Sequence, residues 1–313
     1  MFNVYSIENQ NFYLNNSIIS GIQNVQVSYN NNIGTSLAIS DGNLNYFISK
    51  PIAANLSLDY LLTRNDPLIG YVTGDAFSGK IEYGNKFFTF SSGYLTNYSI
   101  NYRLGEYPRV NIRALILGEL GNTSGTFSYT PFRLNNFIPA DNYYVDLNLN
   151  EANNNRLESL DLGIEVSREP VYTINNYLPD EVIIKYPINI NLNFNFSMSE
   201  YNQERITNIF NQIATGPLSI GFKDYNTSRD LLKFNFSKLT QTSRDLNYSL
   251  DNDAKLNINL TTQITNNANI NIAANNNQVT QFSYGQDGYD LNSDSSLSIQ
   301  TDPSTSPPGF IGL

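Results

Sequence analysis

The sequence predicts an all-β protein made of two related β-sandwich or barrel domains in tandem, each with at most one flanking α-helix. Three observations carry this reading. Apolar side chains alternate with a period of two, Tyr and Phe are abundant while charges are scarce, and the two halves of the chain share a pattern.

The alternation is clearest where Ile188, Ile190, Leu192, Phe194 and Phe196 interleave with Asn189, Asn191, Asn193 and Asn195. Successive side chains of a strand point to opposite faces, so this segment has one packed face and one amide-rich face. Leu56 and Leu58 begin the same pattern after Pro51, Leu256, Ile258 and Leu260 repeat it around Asn257 and Asn259, and Ile270 and Ile272 do so again. One apolar and one polar face describes a sheet covered on one side only.

Composition agrees. The 313 residues include 22 Tyr and 18 Phe but no Trp, and aromatic side chains suit a pleated, half-buried surface. Charged residues make up only 15%, against about 25% in an average globular domain. Asn, Ser and Thr supply the polarity instead, which favours strands and turns over helices.

The repeat appears as five collinear matches separated by roughly 140 residues, too far apart for a solenoid. Val27-Ser28-Tyr29 matches Val166-Ser167-Arg168, and Pro51 to Leu58 matches Pro187 to Phe194. Leu95-Thr96 matches Leu239-Thr240, Tyr102-Arg103-Leu104 matches Tyr248-Ser249-Leu250, and Val110-Asn111-Ile112 matches Leu256-Asn257-Ile258. The division that follows is a first domain with an N-terminal arm over 1–120, a linker rich in Gly, Ser, Thr and Pro over 121–141, a second domain over 142–266, and a low-complexity C-terminal arm over 267–313 that could order on a neighbour.

One segment departs from strand periodicity. Ser199 to Ala214 carries Ile206, Ile209, Phe210 and Ile213 at helical spacing, with Ser199 as N-cap and Gly216-Pro217 as the stop. The first copy has Leu61 to Val72 in that place, where Pro67 and Gly70 shorten or displace any helix.

Chemistry is thinly represented. The chain has no Cys and no His, which removes thiolate chemistry, disulfides and the commonest general base. The net charge of −10 argues against gripping nucleic acid by its phosphates. Met1 to Asn16 lacks a basic and an apolar region, so no secretory signal is expected, and no apolar run approaches the ~20 residues of a membrane helix.

Four motifs invite a functional reading. Gly74-Asp75-Ala76-Phe77-Ser78-Gly79-Lys80 has the Gly and Lys spacing of a phosphate loop, but Ile81 stands where a hydroxyl is needed and strand residues follow instead of a helix. Asp251-Asn252-Asp253 opens like a calcium loop, yet Lys255 occupies a ligand position, and Asp287, Asp290 and Asp294 fit a solvated acidic segment. Glu165 and Glu169 could form a carboxylate pair, although Arg168 lies between them and nothing marks a cleft. Asn97-Tyr98-Ser99 and Asn247-Tyr248-Ser249 match glycan acceptor triplets, which the high Asn and Ser content explains. No catalytic, cofactor-binding or metal residue is therefore assigned.

The second copy contains Arg168-Glu169-Pro170-Val171-Tyr172, an extended stretch, and a Pro-led alternating strand at Pro187. The first contains Gly93-Tyr94-Leu95-Thr96-Asn97-Tyr98-Ser99-Ile100-Asn101-Tyr102, a turn at Gly105-Glu106-Tyr107-Pro108 and a strand at Val110. In this order the chain, from Ile18 to Asn266, resembles the phage tail tube and tube-like virion proteins. The resemblance implies small β domains whose rings stack into a hollow tail, with no enzymatic activity, no cofactor and no membrane. It implies rings of three duplicated subunits, or six, contacts with sheath, terminator and tip proteins, and genomic DNA passing through the lumen without specific binding. The expected location is the virion tail, assembled in the host cytoplasm, and acidic residues are expected to outnumber basic ones on the lumenal strands. A ring protein of the tail tip or baseplate, or a virion carbohydrate- or receptor-binding module, remains the alternative.

Overall fold

The computed structural model describes residues 11–30, 33–37, 44–48, 53–124, 138, 143–147, 156–198, 216–265, 279–282 and 297–301, with short breaks inside these ranges. The first half holds β1 (Phe12–Leu14), β2 (Ser17–Ile19), β3 (Ile22–Asn30), β4 (Ile33–Leu37), β5 (Leu44–Ile48), β6 (Ala53–Leu61), β7 (Phe77–Tyr83), β8 (Lys86–Arg103), β9 (Arg109–Ile116) and β10 (Leu120–Ser124). The second holds β11 (Tyr143–Leu147), β12 (Leu157–Val171), β13 (Glu181–Ser197), β14 (Gly216–Asp224), β15 (Asp230–Ser249), β16 (Asn252–Ile264), β17 (Val279–Phe282) and β18 (Leu297–Thr301).

The all-β class is what the structure shows. The alternating segments are strands, and their apolar positions are the buried ones: Leu56, Leu58 and Tyr60 on β6, Val110, Ile112 and Ala114 on β9, and Ile190, Leu192, Phe194 and Phe196 on β13. Between Leu61 and β7 the only described helical element is a 3-10 turn at Ile69–Tyr71. The helix predicted over Ser199 to Ala214 lies outside the described residues.

All pairings among the described residues are antiparallel, and the two halves use the same order. β3, β6, β9, β8, β7 and β1 are successive neighbours in the first half, and β12, β13, β16, β15, β14 and β11 in the second. The registers correspond residue by residue. Leu56 faces Ala114 and Leu58 faces Ile112, as Leu192 faces Leu260 and Phe194 faces Ile258. Bulges fall at matching places too. Gln23 interrupts the β3–β6 ladder where Glu158 interrupts β12–β13, and Thr96 interrupts β8–β9 where Thr242 interrupts β15–β16. A bulge adds one residue to one strand, so its position is set by the local fit of two specific strands.

These registers support two of the five sequence matches, those at Pro51/Pro187 and Val110/Leu256, end one residue short of the Tyr102/Tyr248 match at Asn101 and Asn247, and shift the other two. Leu95-Thr96 corresponds to Gln241-Thr242 rather than Leu239-Thr240, because Leu95 faces Ala114 and Gln241 faces Leu260. Val27 corresponds to Leu162 rather than Val166, since each faces the equivalent Leu56 and Leu192. Short β patterns repeat every two residues, so a slip of two or four leaves the apolar phase unchanged and only cross-strand pairing fixes the register.

The ends of the predicted division also move. β10 crosses the 120/121 boundary and lies on Lys86 to Phe90 of β8, so the predicted linker begins inside a strand. Its counterpart is β18, within the predicted C-terminal arm, which lies on Leu232 to Phe236 of β15 in the same chain rather than on a neighbour. β12 pairs with β8, joining the two halves in one 16-stranded sheet, and an apolar cluster runs through Leu58, Tyr98, Ile100, Leu160, Leu162, Phe194 and Leu256.

Candidate self-assembly interface

The seam between the halves is the β8–β12 ladder, in which Asn97, Tyr98, Ser99, Ile100, Asn101, Tyr102 and Arg103 face Glu165, Ile164, Gly163, Leu162, Asp161, Leu160 and Ser159. Alternation places Tyr98, Ile100, Tyr102, Leu160, Leu162 and Ile164 on the core side, all buried. Burying each such side chain is worth about 1.5–3 kcal/mol, so the seam is a structural joint.

Arg168 locks it. This side chain leaves β12 and donates Nε to the Leu95 carbonyl at 3.1 Å and Nη2 to the carbonyls of Tyr71, Val72 and Gly74 at 3.1, 3.1 and 3.2 Å. Its guanidinium also lies 6.0 Å from the centre of the Tyr94 ring. These three carbonyls lie at the end of the 3-10 turn and just beyond it, and the two hydrogens of a single guanidinium nitrogen, Nη2, are shared among them while Nε serves Leu95. Sequence reading placed Arg168 in a repeat match, at the head of the Arg168-Glu169-Pro170 run and between two carboxylates, without assigning it a contact. Nothing in the local pattern could show that it reaches across to the other half.

Beneath the seam, Tyr60 and Tyr98 donate to the buried Asp66 carboxylate, at 2.8 Å to Oδ1 and 3.0 Å to Oδ2, and the Leu68 amide donates to Oδ1 at 2.8 Å. Burial holds the Asp66 carboxyl above its usual range despite these bonds and pushes both tyrosines well above theirs. The second half places Phe196 and Arg244 at the positions of Tyr60 and Tyr98, as the matched registers require.

The opposite face of the sheet is open and amide-rich. Ser99, Asn101, Asp161, Glu165, Asn191, Asn193, Thr242 and Asn259 line a shallow groove of about 450 Å³ across β8, β12, β13, β16 and β15. Its charges nearly balance: Asp59, Glu158, Asp161, Glu165 and Asp245 stand with Arg103, Arg109, Arg113 and Lys255 at outward positions, and Lys255 pairs with Glu158 at 2.8 Å. Desolvation raises the carboxyls of Asp59 and Asp161 although Arg109 and Arg103 draw them down.

Two sheet edges complete the picture. β3 pairs with β6 on one side, and Ser243 to Ser249 of β15 pair with β16 on one side. Among the described residues no strand pairs with the other side of either segment. Tyr29 and Leu246, on these edges, are 43% and 39% exposed. The β12–β13 hairpin also projects an apolar tip, where Val171, Tyr172, Leu178 and Ile183 are exposed and Ile174 is 93% so.

The sequence motifs resolve into structure. Gly79 and Lys80 lie in the middle of β7, and a Cβ on Gly79 would meet Phe90 Cζ at 2.2 Å, so this glycine makes room for an aromatic ring. Glu169 pairs with Lys185 at 2.8 Å, whereas Glu165 faces the groove, so the two carboxylates do not act on one point. Asn252 and Asp253 begin β16. Asp251, Asp287, Asp290 and Asp294 lie outside the described residues, among which no group of three acidic ligands is gathered. Asn97 and Asn247 sit in β8 and β15. No protein-family model matches this sequence, and no curated protein matches it.

Proposed function

We propose that this chain is a structural subunit of a phage tail tube, which assembles with copies of itself into stacked rings around a conduit for the genome. The observation that carries this reading is the matched strand order of the two halves and their edge-to-edge joint. A chain made of two like units joined side by side through one pair of edges keeps the same pair of edges at its ends. Such a heterologous contact either closes into a ring or continues as an open filament. Pairing with another copy also removes exposed strand edges that otherwise invite aggregation. The matching registers and bulges support reading the two units as copies of one duplicated domain, in which case three chains would supply six units.

The open face suits a passive conduit. It is rich in amides and its few charges nearly cancel, so it offers phosphate no continuous basic track. The acidic excess expected for a lumen is not concentrated there. The neighbours of such a ring would be the sheath, terminator and tip proteins of a tail.

Negative-stain microscopy of the purified full chain tests the reading. Rings or hollow filaments are the expected result, and monodisperse monomers with affinity for glycans would overturn it. The exposed apolar tip with Tyr172 favours, as a second reading, a virion module that binds a carbohydrate or receptor.

A further inference from the structure

The geometry points to one contact between copies: β3 of one chain pairs antiparallel with the Ser243 to Ser249 segment of β15 of the next, in the register of the internal β8–β12 ladder. The matched registers place β3 where β12 stands in the other half and β15 where β8 stands. The internal ladder joins Leu162 to Ile100, Gly163 to Ser99 and Ile164 to Tyr98. Carrying each residue to its counterpart joins Val27 to Leu246, Ser28 to Asp245 and Tyr29 to Arg244.

The chemistry of these positions fits. Leu162 and Ile100 are buried at the internal joint, while Leu246 is 39% exposed and Val27 only partly buried on the apolar phase of their strands. Pairing would cover both, extending the core cluster from one chain into the next. Tyr29, 43% exposed, would come beside the Arg244 side chain, an aromatic face against a guanidinium. The main-chain groups of both edges would gain ladder partners, the usual source of affinity when a strand is added to a sheet. The occupant, a second copy, rests on the self-assembly proposed above, but the register stands on the internal ladder alone.

The chain has no cysteine, so engineered thiols report without background. Paired antiparallel residues hold their Cα atoms about 4.5–5.5 Å apart, within the span of a disulfide. The double variant Ser28→Cys with Asp245→Cys, mildly oxidised, should give a ladder of covalent oligomers on a denaturing gel. Ser28→Cys with Asn247→Cys, shifted by two residues, should cross-link at least tenfold less. In a separate sample Leu246→Lys should leave the strand spectrum intact and shift the protein to monomer in sedimentation. Rings in the microscope with no linkage through position 245, or equal linkage through 247, would overturn the register while leaving the tube reading in place. A chain that is monomeric by sedimentation, without rings or linkage, would overturn both.

Discussion

Thr96 and Thr242 occupy the same bulge in the two halves, and each hydroxyl donates to a carbonyl across the ladder: Thr96 to Arg113 at 3.1 Å and Thr242 to Asn259 at 3.2 Å. The donors and the acceptors stand at the same sequence separation, 96 to 242 and 113 to 259. The identity survives although most side chains around it differ, because a bulge fixes backbone geometry and the hydroxyl satisfies the acceptor that the extra residue leaves over.

Replacing these hydroxyls therefore has parallel consequences. Thr96→Val and Thr242→Val should each cost about 0.5–1.5 kcal/mol, the net worth of one hydrogen bond. Urea denaturation of the two variants should give similar losses, and a loss at one site only would break the equivalence.

Arg168 should matter more than any single surface charge. Arg168→Ala leaves four carbonyls of the first half without their donor and should lower stability by about 2–4 kcal/mol. Arg168→Lys should recover less than half of that, because an ammonium lacks the planar fork. Denaturant midpoints for the three proteins check this, and full rescue by Lys would show that charge alone suffices.

Asp66 links stability to pH. Its folded carboxyl is raised above the ordinary 3.8, so the folded state holds the proton more tightly than the unfolded state. The stability it adds is fully present below 3.8 and is lost as pH rises through the raised value. Asp66→Asn keeps an acceptor but cannot ionise. The stability of Asp66→Asn relative to the parent should therefore rise between acid and neutral pH, measured by denaturation at several pH values. Parallel curves for the two proteins would contradict it.

Gly79→Ala should cost about 1–3 kcal/mol by overpacking, since the added carbon would sit inside the Phe90 ring envelope. Pairing it with Phe90→Leu should recover part of the loss. Lys80→Ala, on the same strand, should leave thermal stability nearly unchanged and should not alter retention on immobilised nucleotide.

Much of the fold was legible from Ile188 to Phe196 and its like, since a period of two states both the strand and its buried face without reference to the rest of the chain. The repeat was legible as well, but only to within a slip of two or four residues, as the shifted match at Leu95-Thr96 shows. The candidate interface was far less so. Val27, Tyr29 and Leu246 look like any other strand residues until the pairing order shows that their strands end the sheet among the described residues.

The amino-acid order by itself determined that the chain forms strands, which side of each strand seeks apolar company, and that thiol and imidazole chemistry are absent. Those are properties of single residues and of neighbours one or two positions apart. Tertiary structure decided which strands lie side by side, that Arg168 reaches the carbonyls of Tyr71, Val72 and Gly74, and that β8 meets β12 while no described strand covers the outer side of β3 or of the end of β15. Such facts join residues separated by dozens of positions, and a period-two pattern matches many partners equally well until packing selects one.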